Sequence, residues 1–305
     1  MIDQLTKIRN RVLRQAFQFP LLRTRADRRY EADLGQHRAL LSPLNSVSSC
    51  LVAQIDEMGG VVTSLEELAV PGAQSILTAA QEVAKSTLTA PVNTIGFVAH
   101  APTHLLASVP EIYRWGLEAP LAIVEHALGL PVAYHGVYLR RDLANTVVRN
   151  SRLWHRDTED RRMIKVIVYL KDVDDETGAF QFLPRSASTR VAGGLGKQIG
   201  FFSDEQVCHA SSPEILDQIQ TCTGPAGTVI IVDVGSVYHR GKRPEREDRL
   251  ALFYDYTSRK PLYPFYCKPA FTQEQEQAMT AGISEAQRSC VFWRPERSRP
   301  KADIF

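Results

Sequence analysis

The sequence predicts a mostly β protein, in which a sandwich or barrel of strands is flanked by helices on both sides along the chain. Apolar residues recur at helical spacing up to about residue 130. From Pro131 onward the pattern changes to short segments of β-branched and aromatic residues separated by turn residues. Helical patterning returns after residue 270. A helical preface before several short strands is typical of a β-sandwich or barrel wrapped by helices.

Three helices are predicted within the N-terminal helical part of the chain. Ser64 and Glu67 have the spacing of a capping box, which predicts a short helix beginning there. Pro71 precedes a predicted helix over Gly72–Lys85, because proline is favoured in the first turn. A third helix is predicted over Pro110–Leu128, ended by the glycine that follows it.

Five strands and two C-terminal helices complete the prediction. The strands are Val132–Arg141, Met163–Leu170, Ala179–Leu183, Thr228–Val234 and Arg249–Tyr256, and the helices are Gln273–Ala281 and Ser284–Ser289. We interpret the chain as one domain with a mainly helical part over residues 1–130, a β core over residues 131–260 and a helical tail over residues 261–305.

Composition narrows the class of protein. The 305 residues carry a formal net charge of only +2, which argues against a nucleic-acid binder, because such proteins need a concentrated basic face. Five scattered cysteines without a C-x-x-C pair favour free thiols in a reducing compartment. We find no signal peptide and no apolar stretch of transmembrane length, so the sequence predicts a cytoplasmic protein.

Residues 1–30 are strongly basic. Eight Lys and Arg residues stand against two aspartates, a net charge of +6, and apolar residues recur there at helical spacing. One interpretation is an amphipathic helix that contacts a membrane surface or an acidic partner. The other, which we favour, is a peripheral helix that packs its apolar stripe on the body and leaves its arginines in solvent.

A candidate metal site begins at Trp154-His155-Arg156-Asp157. On an extended segment residues two apart point to the same side, so His155 and Asp157 can reach one ion while Arg156 points away. A later apolar segment leads to His239, and Arg249 opens another strand ten residues further on. Two imidazoles and one carboxylate on one face of an octahedral ion leave three positions open, as Fe(II) oxygenases require.

In their order and spacing these segments resemble the phytanoyl-CoA dioxygenase family of 2-oxoglutarate oxygenases. The resemblance covers about residues 110–260. It rests on Glu125-His-Ala-Leu-Gly-Leu-Pro131, the W-H-x-D at 154–157, the strand Ile164–Leu170, Glu176-Thr-Gly-Ala-Phe-Gln-Phe-Leu-Pro-Arg-Ser186, the H-R-G at 239–241 and Arg249. The family fold is a double-stranded β-helix, also called a jelly roll or cupin-like fold, so we expect that core here.

The resemblance also implies an activity. It predicts that Fe(II), held by His155, Asp157 and His239, together with 2-oxoglutarate and O₂, oxidises a small-molecule substrate, usually by hydroxylation, with release of succinate and CO₂. Arg249 is the expected partner of the distal cosubstrate carboxylate, ahead of Arg243 and Arg246. Further expected contacts are Tyr169, Thr228 and Arg141.

Two positions bear on how far the family's activity carries over to this chain. Where the family usually has Pro-Gly-Ser-His, this chain has Pro184-Arg185-Ser186-Ala187, which puts transfer of a family substrate in doubt. The intact Asp157 favours oxygenation over halogenation, because related halogenases have Gly or Ala there. The alternatives are a non-catalytic ligand-binding barrel and a cupin-type metalloenzyme of another reaction class. The other histidines are interpreted as ordinary surface or core residues.

Overall fold

The computed structural model describes residues 9–10, 12–15, 19–69, 71–196 and 199–294. Its strands are β1 (Gly60–Ser64), β2 (Val98–His100), β3 (Val132–Asp142), β4 (Ile164–Tyr169), β5 (Phe180–Phe182), β6 (Gln220–Cys222), β7 (Thr228–Asp233), β8 (His239–Gly241) and β9 (Arg249–Ser258). The longer helices are α1 (Pro20–Arg38), α2 (Ser46–Met58), α3 (Ala73–Ala84), α4 (Thr103–Ala107), α5 (Pro110–Trp115), α6 (Ala119–Leu128), α7 (Arg185–Gly194), α8 (Asp204–Ala210), α9 (Gln273–Met279) and α10 (Glu285–Val291).

Two antiparallel sheets form the centre of the fold. The larger sheet has the order β1-β7-β4-β9-β3-β2 and the smaller has the order β6-β5-β8. Apolar side chains from both sheets, including Ile167, Phe180, Ile230 and Phe253, pack together in one buried cluster between them. The opposite face of the larger sheet packs against helices α2 to α6 in a second cluster. Two facing antiparallel sheets with helices outside confirm the predicted double-stranded β-helix core with flanking helices.

The five predicted strands are present, each within two residues of its expected ends. The prediction did not include the short strands β1, β2, β6 and β8 or the helices α7 and α8. It was also wrong about a helix at Ser64. That residue ends β1, and although the Glu67 amide donates to the Ser64 hydroxyl at 3.0 Å, only a turn follows.

The predicted helix over Pro110–Leu128 is divided into α5 and α6. Three tyrosine hydroxyls of the larger sheet donate to backbone carbonyls at the end of α5, namely those of Ile112, Tyr113 and Gly116. A Cβ atom at Gly116 would lie 2.6 Å from a ring carbon of Tyr254, so glycine allows this close approach. The break therefore comes from long-range contacts that the local pattern does not reveal.

Much of the basic N-terminal segment, including the apolar positions Leu5, Ile8 and Phe17, lies outside the described residues, so its expected helix stays a prediction. The described helix α1 begins at Pro20. None of the helices in the described part of the chain is long and apolar enough to cross a membrane.

Candidate metal centre

His155, Asp157 and His239 lie together at one edge of the space between the sheets. His155 and His239 exchange two backbone hydrogen bonds across an antiparallel bridge, at 3.1 and 2.9 Å. Their rings are therefore neighbours, with centroids 4.3 Å apart. The amide of Asp157 donates to the carbonyl of Val234 at 2.9 Å, which holds the second half of the W-H-x-D segment.

The strand that was expected to lead directly to His239 ends earlier. After Asp233 the chain leaves the larger sheet, turns, and enters the smaller sheet as β8, which begins at His239. As expected, Arg156 points away from the other two side chains of its segment, and its guanidinium lies 5.1 Å from the centre of the Tyr238 ring.

The three side chains direct one ligand atom each toward a common point. Asp157 Oδ1 lies 3.7 Å from His155 Nε2 and 3.8 Å from His239 Nε2. These three atoms all lie within 4.8 Å of one another. Among the described residues they are the one group of His, Cys, Asp or Glu side chains placed to hold a metal ion. Two imidazole nitrogens and a carboxylate oxygen are the donor set expected for Fe(II) with open positions.

Both imidazoles are oriented by their other nitrogen. His155 Nδ1 donates to the Leu153 carbonyl at 2.8 Å, and His239 Nδ1 donates to the Val237 carbonyl at 3.2 Å. This leaves the lone pair on Nε2, where a metal ligand needs it. Burial lowers the pKa of both histidines, and with the help of neighbouring His155 it lowers the pKa of His239 to about 3. Both rings are therefore neutral, ligand-ready bases at physiological pH.

Asp157 has a second partner that the sequence interpretation missed. Its Oδ2 accepts a hydrogen bond from Lys165 Nζ at 2.9 Å. Burial alone would raise the pKa of Asp157, but the Lys165 ammonium, the largest opposing influence, helps to hold the pKa well below its usual range. The signal was present in the sequence, because Lys165 is the one charged residue in the apolar strand β4.

Aromatic rings surround the three side chains. Phe180 lies nearly parallel to His239 at a centroid distance of 5.6 Å, and Phe201 lies 5.2 Å from His155. Phe253 and Tyr138, cross-strand partners on the neighbouring strands β9 and β3, stack at 5.1 Å. Phe201 is half exposed, at 49%. Each imidazole of the group therefore packs against a phenylalanine ring.

Arg249 lies inside the same space, on the face of β9 that also carries Ala251 and Phe253, as expected. Its side chain is only 3% exposed. One terminal nitrogen donates to Asp142 Oδ2 at 2.8 Å and the other donates to the Gly178 carbonyl. Nε is buried and has no hydrogen-bond partner among the described residues.

A second arginine binds Asp142. Arg140 donates from Nε to Asp142 Oδ1 at 3.0 Å, while nearby Arg152 lies over the Phe97 ring and donates to Asn145 Oδ1 at 2.7 Å. Two guanidinium groups thus share one carboxylate, an excess of one positive charge in a largely buried region. We did not predict Arg140, Asp142 or Arg152, because only the fold brings them to Arg249.

The other three residues expected to contact the cosubstrate have hydrogen-bond partners within the protein. The prediction for Arg141 is wrong: the side chain lies on the helix-covered face of β3, where it binds Asp248 at 2.5 Å and the Thr87 carbonyl at 3.1 Å. The Tyr169 hydroxyl joins the two sheets, donating to the Cys222 carbonyl at 2.8 Å and accepting from the Phe180 amide at 2.9 Å. The Thr228 hydroxyl donates to the Pro225 carbonyl at 2.8 Å. These two hydroxyls have structural partners, and contact with a cosubstrate remains untested.

The competing arginines lie at the surface. Arg246 is 53% exposed and pairs with Asp174 and Glu176 at 2.7 and 2.8 Å. Arg243 binds Glu245 and the Asn145 carbonyl. Among the three candidates, only Arg249 is buried between the sheets.

No protein-family model matches the chain, and no curated protein matches it. Similar solved structures include the non-haem α-ketoglutarate-dependent carbocyclase SnoK from nogalamycin biosynthesis, with 15% identity over 70% of this chain and 84% of that one, at a TM-score of 0.48. EctD from S. alaskensis with bound Fe has 18% identity over 72% and 83%, at 0.47. HygX from Streptomyces hygroscopicus with nickel, 2-oxoglutarate and hygromycin B has 17% identity over 70% and 88%, at 0.46. Similarity at this level does not assign a function, which has to come from the site residues themselves.

Proposed function

We propose that this protein is a non-haem Fe(II)- and 2-oxoglutarate-dependent dioxygenase. The observation that carries the proposal is the presence, in one buried space, of a His–Asp–His group and a buried cluster of arginines. The first supplies the ligands for a divalent ion with open positions, and the second supplies an anchor for an anion.

The spacing between the two parts fits a cosubstrate that touches both. His239 and Gly241 point to the same side of β8, roughly 7 Å apart along the strand. A Cβ atom at Gly241 would lie 2.6 Å from Arg249 Nη2, so the guanidinium passes directly over this glycine. A short dicarboxylate has the length to bind the metal with one end and Arg249 with the other.

The charge balance supports an anion at this anchor. Asp142 binds both Arg140 and Arg249 and so cancels one of their two positive charges, and a second carboxylate would balance the other. Arginine suits the role, because its planar guanidinium forms two parallel hydrogen bonds with a carboxylate and keeps its charge when buried.

With 2-oxoglutarate and O₂, a bound Fe(II) supplies oxidising power for an unactivated C–H bond, and succinate and CO₂ are released. The chain's own residues position the reactants and exclude water. His155, Asp157 and His239 hold the ion, Arg249 orients the cosubstrate, and the rings of Phe180, Phe201 and Phe253 line the neighbouring space. We propose hydroxylation of a small metabolite or natural-product intermediate as the outcome, and a phytanoyl-CoA dioxygenase-like ancestry.

Absorption spectroscopy under anaerobic conditions tests the proposal. We expect a weak visible charge-transfer band when Fe(II) and 2-oxoglutarate are both added, and slow formation of succinate once O₂ is admitted. Iron binding without such a band would favour a cupin-type enzyme of another class. Absence of iron binding would favour a ligand-binding barrel without catalysis.

A further inference from the structure

Lys165 is the second residue of β4 and points into the space between the sheets. Its neighbours in the strand, Ile164 and Val166, point to the helix-covered face. The side chain is only 13% exposed. Burying an ammonium group costs several kcal/mol unless charged partners compensate, so the partners of Lys165 indicate its role.

The two oxygens of Asp157 have different partners. Oδ1 is the oxygen that faces the two imidazole nitrogens, at 3.7 and 3.8 Å. Oδ2 accepts a hydrogen bond from Lys165 Nζ at 2.9 Å. The ammonium therefore does not occupy the position expected for an ion between the three ligand atoms.

A second carboxylate holds Lys165 from the neighbouring strand. Lys165 and Asp255 are direct cross-strand partners on β4 and β9, and Nζ lies 3.6 Å from Asp255 Oδ1. Lys165 Nζ is therefore held between two carboxylates, that of Asp157 and that of Asp255.

The number of oxygens that Asp157 offers to a metal decides how many positions remain. Three protein atoms on an octahedral ion leave three positions, enough for a chelating 2-oxo acid and O₂. If Asp157 bound through both oxygens, only two positions would remain. A hydrogen bond from Lys165 to Oδ2 disfavours that second contact.

We propose that Lys165 is a positioning residue that restricts Asp157 to one metal-bound oxygen and thereby keeps a coordination position open for the cosubstrate. The inference rests on the proposed function. It predicts that removal of Lys165 affects binding of the metal ion and binding of 2-oxoglutarate in opposite directions. Metal binding is retained or strengthened, because a positive charge near the ion is lost and Oδ2 becomes available, whereas binding of 2-oxoglutarate to the loaded protein weakens.

The test uses the full-length protein with Co(II), whose visible absorption reports both binding and coordination geometry. Co(II) is titrated first, and 2-oxoglutarate is then titrated into the Co(II)-loaded protein. For Lys165→Met we expect Co(II) affinity to fall by no more than threefold. The affinity of the Co(II)-loaded variant for 2-oxoglutarate should fall tenfold or more. Lys165→Arg, which retains a donor for Oδ2, is expected to restore 2-oxoglutarate affinity to within threefold. Lys171→Met, just beyond the end of β4, is the matched control and should change neither affinity.

Removal of Lys165 leaves Asp255 buried without its cation, so the double variant Lys165→Met/Asp255→Asn is measured in parallel and replaces the single variant if that one does not fold. Unchanged 2-oxoglutarate affinity in the folded variant would overturn the inference. So would a tenfold loss of Co(II) affinity, which would make Lys165 a general support of the site. If the Co(II)-loaded wild type binds no 2-oxoglutarate, the proposed function fails as well, and the two failures are therefore distinguishable.

Discussion

Arg249 and Asp142 are direct cross-strand partners on β9 and β3, and their side chains form a buried ion pair with an Nη2–Oδ2 distance of 2.8 Å. Burial alone would raise the pKa of Asp142, but Arg140 and Arg249 outweigh it and lower the pKa to about 2. The carboxylate is therefore charged at physiological pH and holds the Arg249 guanidinium in a fixed orientation. The proposed anchor is thus oriented before any cosubstrate binds.

The first prediction concerns this anchor. Lysine keeps the positive charge that Asp142 requires but lacks the two-pronged guanidinium, so Arg249→Lys should raise the 2-oxoglutarate concentration needed for half-saturation at least tenfold. Metal affinity should stay within threefold, since Arg249 is not a ligand. Titration of 2-oxoglutarate into the metal-loaded protein measures the first quantity, and metal titration measures the second.

Two arginines provide matched controls for Arg249. Arg141→Lys makes the same change on the opposite face of the neighbouring strand, and Arg246→Lys makes it in the exposed loop. Both should bind 2-oxoglutarate as the wild type does. A larger effect from Arg246→Lys than from Arg249→Lys would transfer the anchor to the loop.

Gly241 gives a second, independent prediction about the same anchor. A Cβ atom there would lie 2.6 Å from Arg249 Nη2 and would displace the guanidinium, while His239, two residues earlier, keeps its backbone bonds to His155. Gly241→Ala should therefore weaken 2-oxoglutarate binding at least tenfold and leave metal binding nearly unchanged. Gly193→Ala, where a Cβ meets nothing within 4 Å, is the control. Equal 2-oxoglutarate affinity in both alanine variants would show that Arg249 does not bind the cosubstrate.

The third prediction concerns the metal ligands. Alanine at His155, Asp157 or His239 removes one of three donor atoms, and each variant should bind Fe(II) or Co(II) at least 100-fold more weakly, on the order of 3 kcal/mol. Circular dichroism checks that the fold is retained. His126→Ala, at a half-buried histidine of α6 whose ring binds the Ala122 carbonyl, is the control and should bind metal normally. Normal metal affinity in the His239 variant would remove that residue from the ligand set.

The sequence predicted the parts of the fold that depend on local pattern. The runs at Thr228–Asp233 and Arg249–Ser258 are apolar and β-branched, and they appear as strands close to their expected ends. Strands of three residues, such as β6 and β8, are too short to show a period. The division between α5 and α6 depends on tyrosines more than 100 residues away in β9 as well as on Tyr134.

Within the site, too, the sequence predicted what depends on local spacing and missed what depends on long-range contacts. His155 and Asp157 are two residues apart, and their shared direction follows from the geometry of an extended chain. Lys165 and Asp255 are 90 residues apart, and only the pairing of β4 with β9 makes them neighbours. Arg141 was misplaced for a related reason: alternation along β3 directs Arg140 inward and Arg141 outward, and the sequence alone does not reveal which face is inside.

A buried histidine that is not one of the three proposed metal ligands provides a prediction about pH. Burial, aided by Arg294, lowers the pKa of His135 from 6.5 to about 3, and its Nε2 lies 2.8 Å from Thr257 Oγ1. Below pH 6.5 the unfolded chain therefore takes up a proton that the folded protein does not accept until about pH 3. The contribution of His135 to the free energy of unfolding is therefore complete above pH 6.5. Below that pH it falls by about 1.4 kcal/mol per pH unit.

His135→Gln removes this titration. Between pH 7.5 and pH 5.5 the wild type should lose roughly 1 kcal/mol more unfolding free energy than the variant, as measured by urea denaturation of the metal-free protein. Parallel pH profiles for the wild type and His135→Gln would mean that His135 is not held neutral in the folded protein.

The last prediction concerns the N-terminal segment and where to truncate it. Helix α1 contacts the body through Asp27, which binds Arg161 at 2.5 Å, and through Asp33, which binds Lys260 at 2.7 Å. Arg161 belongs to the loop that follows Asp157, so a protein starting near Tyr30 would lose a contact close to the metal centre. Deletion of residues 1–19 avoids this loss. We expect the shortened protein to bind metal and 2-oxoglutarate with affinities within twofold of those of the full chain. If the basic segment is a peripheral packing helix, neither form should sediment with anionic vesicles. Salt-sensitive sedimentation of the full chain alone would instead assign the basic segment to a membrane surface.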